Sequence, residues 1–331
     1  MTLEPAVRAH LDAMDPTPYI GADLPAVRAL LRSDIDRMFT LFGLPGPEVH
    51  AIDDYEVPAL NGPIPIRLYH PTEQTGLPVH ILAHGGGWIT GSIDELVADA
   101  TARHRAVEAG CVVVLVEYRL APEYPFPQAV YDIIGAAEWV RDNGEWLGVD
   151  PAVITLGGAS AGANLVAAAV LGAPDLHPAA LILEVPALDL TGATSRAALA
   201  DLGLEAADVP LFTQAQDEFD RACTTYLVDR DHARIPLASP LFATDLAGFP
   251  ETYVLTAELD PLRAEGEEFA RRLTAAGVAA HVTRYPGALH GSPILTATWP
   301  TARRWHDDIL VILGDVHRRS AGRHPGMQRT P

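Results

Sequence analysis

The chain has 331 residues, of which 43 are acidic and 23 basic, so its formal net charge is −20. A surface of this charge repels polyanions, and we therefore expect neither nucleic acid nor membrane as a partner. The sequence contains no lysine, which excludes Schiff-base chemistry, Ser–Lys dyads and a P-loop lysine.

The sequence contains two cysteines, Cys111 and Cys223, and their number and spacing indicate the redox state of the compartment. Cys111 opens an apolar run and is predicted to be a buried core residue. Two distant cysteines without a partner motif fit a reducing compartment. The N-terminus lacks the basic flank and apolar run of a signal peptide, and no apolar stretch reaches the roughly 18 residues of a membrane span. We expect a cytoplasmic protein; the sequence leaves open whether it forms a homo-oligomer.

Residues 1–45 are predicted to form helices. Apolar residues recur there at helical spacing, in two sets: Val7, Leu11, Met14, and Leu30, Leu31, Ile35, Met38. Three prolines are predicted to separate the two helices: Pro16, Pro18, Pro25. Residues 43–47 form a loop that closes this section.

A pattern of strands and turns begins near residue 50. Residues 64–69 alternate between Ile or Leu and other residues, and the prolines around them indicate an edge strand. Short apolar runs separated by helical patterns follow, at Val79–Ala83, Val112–Val116, Val153–Leu156, Leu181–Val185, Tyr253–Ala257 and His281–Tyr285. This order predicts an α/β fold with a mostly parallel sheet of about eight strands, covered by helices on both faces.

Residues 190–235 interrupt the alternation, because they carry helical pieces around Leu211–Tyr226 and no convincing strand. An insertion here would lie above the carboxyl ends of the strands, where open α/β sheets bind ligands. We therefore predict cap helices over residues 1–45, a main domain over residues 46–316 with a cap insertion at about 190–235, and a flexible tail over residues 317–331.

The strongest local motif is G-x-S-x-G, centred on Ser160, between the strand Val153–Leu156 and a helical run. A sharp strand-to-helix turn holds such a serine in strained backbone geometry, so the flanking Gly158 and Gly162 must be small. The helix that follows directs its positive end at the serine. We predict that Ser160 is a nucleophile.

A second motif, His84-Gly85-Gly86-Gly87-Trp88, directly follows the strand Val79–Ala83. Consecutive glycines allow backbone N–H groups to point at a ligand oxygen, as in an oxyanion hole. The N–H of Ala161, next to Ser160, is predicted to complete this hole.

These two motifs, together with the segments Glu117–Glu123, Ser239–Leu241, Asp260–Arg263 and His290-Gly291, resemble the hormone-sensitive-lipase-like family of bacterial esterases. The resemblance covers nearly all of the chain beyond residue 50. It implies an α/β-hydrolase fold with a helical cap, a catalytic triad of Ser160, Asp260 and His290, and oxyanion donors at Gly86, Gly87 and Ala161. It also implies a carboxylic ester hydrolase. Because the predicted cap is helical and compact, we expect short- to medium-chain, hydrophobic small-molecule esters as substrates.

The positions of the acid and the base support this triad independently. Asp260 follows the strand Tyr253–Ala257, and His290 follows the strand His281–Tyr285, so both lie at the carboxyl edge of the sheet with Ser160. Glu258 is the rival acid, predicted to lie within its strand. Among the other histidines, His84 is interpreted as a support of the glycine loop.

Three residues depart from the family pattern. Ala159 stands where Asp is common, Ala163 stands where another Gly is frequent, and Ser292 stands where an aromatic residue is usual. These changes concern pocket shape and stability rather than the triad. The histidines show no metal-ligand pattern and no phosphate-binding loop is found, so we expect no metal ion and no cofactor.

Two other functions stay open. An amidase, lactonase or formamidase would use the same triad, and the sequence does not reveal the leaving group. A non-catalytic binding protein is the second alternative, because plant hormone receptors share this fold after losing the triad histidine. His290 is present here, which favours an enzyme.

Overall fold

The computed structural model describes residues 3–13 and 23–322, and within them eight strands form one sheet. The strands are β1 (Ala51–Val57), β2 (Ile64–His70), β3 (Leu77–Ala83), β4 (Val112–Val116), β5 (Val149–Ala159), β6 (Ala180–Glu184), β7 (Thr252–Ala257) and β8 (Ala280–Tyr285). Their spatial order is β1-β2-β4-β3-β5-β6-β7-β8.

Six strands, β3 to β8, run parallel, whereas β1 and β2 pair antiparallel at one side. All five residues of β4 and of β6 are buried. Strands that are buried on both faces of a parallel sheet read as continuous apolar runs, and this explains why the sequence pattern located β3 to β7; β8 is an edge strand in which only Tyr285 is buried.

Ten α-helices accompany the sheet in the described residues. They are α1 (Pro5–Ala13), α2 (Leu24–Phe42), α3 (Leu96–Ala109), α4 (Gln128–Asp142), α5 (Gly144–Leu147), α6 (Ala161–Gly172), α7 (Ala193–Ala198), α8 (Val209–Leu227), α9 (Arg263–Ala275) and α10 (Pro300–Ala321). Helices α4, α6 and α9 share one apolar core with the sheet, and α3 and α10 pack in the clusters of the opposite face. The predicted α/β architecture is confirmed.

The prediction of an edge strand at residues 64–69 is wrong. β2 lies inside the sheet, since β1 pairs with it from Ala51↔His70 to Val57↔Ile64. Pro65 is tolerated because it lies beyond the last paired residue of β2 and β4, while its carbonyl still accepts a hydrogen bond from the Glu117 N–H (3.0 Å). The sequence missed β1 because its residues alternate between half-buried and exposed, without a continuous apolar run.

Pro25 does not separate two helices. It lies in the first turn of α2, whose N-cap Asp23 accepts a hydrogen bond from the Ala26 N–H (3.2 Å). Proline is favoured in the first helical turn, because the N–H groups of that turn have no acceptor within the helix and proline lacks this N–H. Met14, Pro16 and Pro18 lie outside the described residues.

The tail boundary at residue 317 is also wrong. α10 continues to Ala321, and the side chain of His317 is buried against the sheet. Residues 323–331 lie outside the described part of the chain.

None of the helices in residues 3–13 and 23–322 combines the length and hydrophobicity of a membrane span. Cys111 is fully buried, as predicted.

Candidate active site

Ser160 lies in the tight turn that joins β5 to α6. Its backbone has φ 56° and ψ −115°, a conformation that L-residues rarely adopt. A hydrogen bond from the Ser160 N–H to the Glu184 carbonyl (2.9 Å) anchors this turn to β6. α6 starts at the next residue, so its positive end faces the serine.

The glycines around Ser160 leave no room for a side chain. A Cβ atom on Gly158 would lie 2.4 Å from the Gly162 carbonyl carbon, and one on Gly162 would lie 2.2 Å from the Ala83 carbonyl oxygen. The second contact brings α6 against the end of β3. The loop after β3 therefore lies beside Ser160. The two close contacts explain why the first and last positions of the G-x-S-x-G motif must be glycine.

That loop carries the three consecutive glycines. Gly86 and Gly87 have φ values of +117° and +59°, and the Gly86 carbonyl accepts a hydrogen bond from the Thr90 N–H (2.9 Å). A Cβ atom on Gly85 would be 3.8 Å from the Ser160 Cβ, so the loop adjoins the serine. In the described part of the chain, the N–H groups of Gly86, Gly87 and Ala161 have no hydrogen-bond acceptor.

The structure brings the three predicted side chains together. His290 Nε2 lies 2.9 Å from Ser160 Oγ, and His290 Nδ1 lies 2.7 Å from Asp260 Oδ2. A carboxylate only accepts hydrogen bonds, so the proton belongs on Nδ1, and Nε2 is free to accept from the serine hydroxyl. The second oxygen of Asp260 accepts from the Leu262 N–H (2.9 Å), which fixes the carboxylate.

Electrostatics prepare His290 for proton transfer. Burial alone would lower the pKa of its imidazole, but the charge of Asp260 and its hydrogen bond outweigh burial and raise this pKa above its ordinary value. Asp260 is 2% exposed, so solvent screens its charge little.

The rival residues have other partners. Glu258 lies in a turn, because β7 ends at Ala257, and it accepts a hydrogen bond from the Gly287 N–H (2.7 Å) rather than from His290. The expectation that it lies within the strand is wrong. His84 stacks on Tyr118 with ring centroids 4.2 Å apart, and its Nδ1 lies 2.7 Å from the Gly85 carbonyl. It supports the loop, as predicted.

Ser292 holds the loop that carries His290. It is 1% exposed, and its hydroxyl accepts a hydrogen bond from the Leu289 N–H (2.8 Å), while its own N–H donates to the Leu289 carbonyl (3.0 Å). The serine therefore closes a turn around the histidine. An aromatic residue at this position could not make the hydroxyl contact.

A buried ion pair lies behind the nucleophile turn, and the sequence pattern missed it. Arg105 of α3 donates to Glu184 Oε1 (2.5 Å) and to His80 Nε2 (3.1 Å), and Trp305 of α10 donates to Glu184 Oε2 (3.1 Å). The side chains of Arg105 and Glu184 are each 6% exposed. An acid inside the apolar run Leu181–Val185 was the signal that could have revealed it.

We expect Arg105→Met to reduce the free energy of unfolding by about 3–5 kcal/mol, because Glu184 would stay buried without its cation. The measurement is equilibrium unfolding in urea. Arg303→Met serves as the matched control: the side chains of Arg303 and Asp307 are 46% and 54% exposed, so its loss should stay below about 1 kcal/mol. Equal losses in both variants would contradict the prediction.

Comparison with known proteins places the chain in a family. The alpha/beta hydrolase fold family model matches residues 80–294, a span that contains Ser160, Asp260 and His290. The chain belongs to this family. The resemblance derived from the sequence motifs is confirmed at this level.

Several relatives are named as esterases or ester hydrolases. An arylesterase of Saccharolobus solfataricus is 40% identical over 73% of this chain and 76% of its own. An ethyl acetate hydrolase of Pseudomonas putida is 31% identical over 88% of this chain and 92% of its own. The solved structure of a hyperthermophilic esterase from Pyrobaculum calidifontis superposes with a TM-score of 0.80 at 35% identity, covering 95% of this chain and 99% of that one.

Proposed function

We propose that the chain hydrolyses carboxylic esters through an acyl-enzyme intermediate, with Ser160 as nucleophile, His290 as general base and Asp260 as the acid that orients it. The observation that carries this assignment is the continuous hydrogen-bond chain from Asp260 through His290 to Ser160 Oγ. The esterase relatives support ester hydrolysis.

The reaction proceeds in two halves. His290 Nε2 takes the hydroxyl proton as Ser160 Oγ attacks the ester carbonyl, and the resulting imidazolium is stabilised by Asp260. His290 then protonates the departing alkoxide, which leaves as the alcohol. Water, deprotonated by the same imidazole, attacks the acyl-enzyme and releases the carboxylic acid.

The negative charge that develops on the carbonyl oxygen requires donors. We assign this role to the N–H groups of Gly86, Gly87 and Ala161, which adjoin Ser160 and have no acceptor within the residues described here. Loss of one such donor typically raises the barrier by about 3–4 kcal/mol.

We assign α1, α2 and the insertion that contains α7 and α8 to a cap over the site. Two contacts support this assignment. Tyr226 of α8 stacks on Trp88 of the glycine loop with ring centroids 4.9 Å apart, and a Cβ atom on Gly291 would lie 3.8 Å from His10 Nε2 of α1. Cap helices therefore contact both the oxyanion loop and the loop of His290.

Short- to medium-chain, hydrophobic esters are the proposed substrates. One relative is named an ethyl acetate hydrolase, which supports a preference for short acyl chains. A cytoplasmic location remains a prediction, and self-association remains open.

Two measurements test the function against its alternatives. A fluorophosphonate probe should label the wild-type chain at Ser160, whereas a binding protein without a working triad would not react. Rates on p-nitrophenyl esters with acyl chains of two to about twelve carbons should be highest for the short chains. An ester should also be cleaved faster than its matched amide. Faster cleavage of the amide would favour the amidase alternative.

The raised pKa of His290 sets the acid side of the pH profile. His290 accepts a proton only when neutral, so kcat/KM should fall as the pH drops through this pKa. Because Asp260 raises the pKa, we expect the midpoint of the acid limb above 6.5. The measurement is kcat/KM for ethyl butyrate in a pH-stat; a midpoint below 6.5 would contradict the prediction.

A further inference from the structure

We propose that His104, Glu108 and His306 form a Zn²⁺ site that joins α3 to α10, outside the ester-hydrolysing site. One ligand atom from each residue can be chosen so that all three lie within 4.8 Å of one another. The sequence shows no metal-ligand pattern here, because His306 lies on α10 and only packing brings it to the other two residues.

The first two ligands come from one helix face. His104 and Glu108 are four residues apart in α3, and such residues lie one turn above each other on the same side. His104 Nδ1 and Glu108 Oε1 are 2.5 Å apart. An imidazole nitrogen and a carboxylate oxygen are thus already side by side.

The remaining nitrogen of His104 is oriented as in metal-binding histidines. His104 Nε2 lies 3.1 Å from the Pro45 carbonyl, which can only accept, so this nitrogen carries a proton. A hydrogen bond from the non-coordinating nitrogen to a carbonyl fixes the ring and leaves the other nitrogen for the metal.

His306 supplies the third ligand from α10. Its Nε2 is inaccessible to solvent and has no hydrogen-bond partner among the described residues. Because this nitrogen makes no hydrogen bond, it is available to bind a cation. Its centroid lies 4.7 Å from that of His104, with the rings nearly perpendicular.

Two imidazoles and one carboxylate form a ligand set that Zn²⁺ binds well, with water in the fourth position. Tetrahedral geometry with bonds of about 2.0–2.1 Å requires ligand atoms roughly 3.3 Å apart. His104 Nδ1 and Glu108 Oε1, which are 2.5 Å apart, must therefore separate slightly to admit the ion, and the side chain of Glu108, which is 39% exposed, can make this movement. Arg105, which follows His104 in α3, is paired with Glu184.

The test uses the full chain in metal-free buffer. Calorimetric titration with Zn²⁺ should show one ion per chain, and saturation at about 100 times Kd should raise Tm by about 4–6 °C. Co²⁺ in place of Zn²⁺ should give the visible absorption bands of a tetrahedral site. His306→Gln and Glu108→Gln should each lower the affinity by about 100-fold or more, since losing even an outer hydrogen bond to a ligand costs 10–100-fold.

Two control variants separate this site from other histidines. His281→Gln, which removes an exposed histidine paired with Glu251, and His290→Ala should both retain the stoichiometry and affinity of the wild type. Circular dichroism checks that each variant is folded; Glu108 is exposed, so its variant tests the site even if His306→Gln does not fold. Absence of binding in the wild type, undiminished affinity in Glu108→Gln, or loss of binding in His290→Ala would overturn the proposal.

Discussion

Ser160→Ala is expected to lower kcat/KM for p-nitrophenyl butyrate by a factor of about 10⁵, because no other group can form the acyl-enzyme. The residual rate would come from the oxyanion donors and substrate binding alone. Alanine fits the turn as well as serine, since the positive φ of residue 160 constrains Cβ and not the hydroxyl. Tm should therefore change little.

The control for this variant is Ser33→Ala, which removes an exposed hydroxyl from α2. It should keep kcat/KM within about twofold of the wild type, as surface substitutions usually perturb a protein little. Retention of more than about a tenth of the activity in Ser160→Ala would show that another residue is the nucleophile.

Asp260→Asn is expected to lower kcat/KM by about 10⁴ near pH 7. The asparagine amide would donate to His290 Nδ1, and the ring proton would move to Nε2, where it blocks proton transfer from Ser160. The variant also removes the charge that raises the pKa of His290, so the acid limb of the residual activity should shift to lower pH. The measurement is a pH profile of kcat/KM beside that of the wild type.

Glu258→Gln is the matched control for the acid. Its carboxylate accepts from the Gly287 N–H and does not reach His290, so this variant should lose less than about tenfold in kcat/KM, by a small displacement of the His290 loop. A large loss of kcat/KM in Glu258→Gln together with a small loss in Asp260→Asn would show that Glu258, and not Asp260, is the acid of the triad.

The sequence alone predicted the fold class and the three side chains that meet at the sheet edge. It could do so because the constraints are local. Gly158 and Gly162 are required by atoms within one turn of the chain or at the end of the adjoining strand, and buried parallel strands must be apolar throughout. Asp260 and His290 each follow a strand whose carboxyl end lies at the same edge.

The contacts that support the site could not be predicted in this way. The Arg105–Glu184 pair, the stacking of Tyr226 on Trp88, and the hydroxyl contact of Ser292 join residues whose types fit many other environments. Glu184 stands out as an acid inside an apolar run, but an arginine on a helix is usually exposed, and nothing near Arg105 along the chain reveals that the two residues lie opposite each other.

The amino-acid sequence by itself determined where the chain turns, which strands are buried, and which loops carry a hydroxyl, an imidazole and a carboxylate, because backbone sterics and hydrophobic periodicity act within a few residues. Tertiary structure alone decided that β1 covers the edge of β2, that α8 contacts the glycine loop, and that His306 meets His104. Such pairings depend on the register and packing of elements that are distant in the chain. Many sequences allow the same pairing, so no local sequence pattern predicts it.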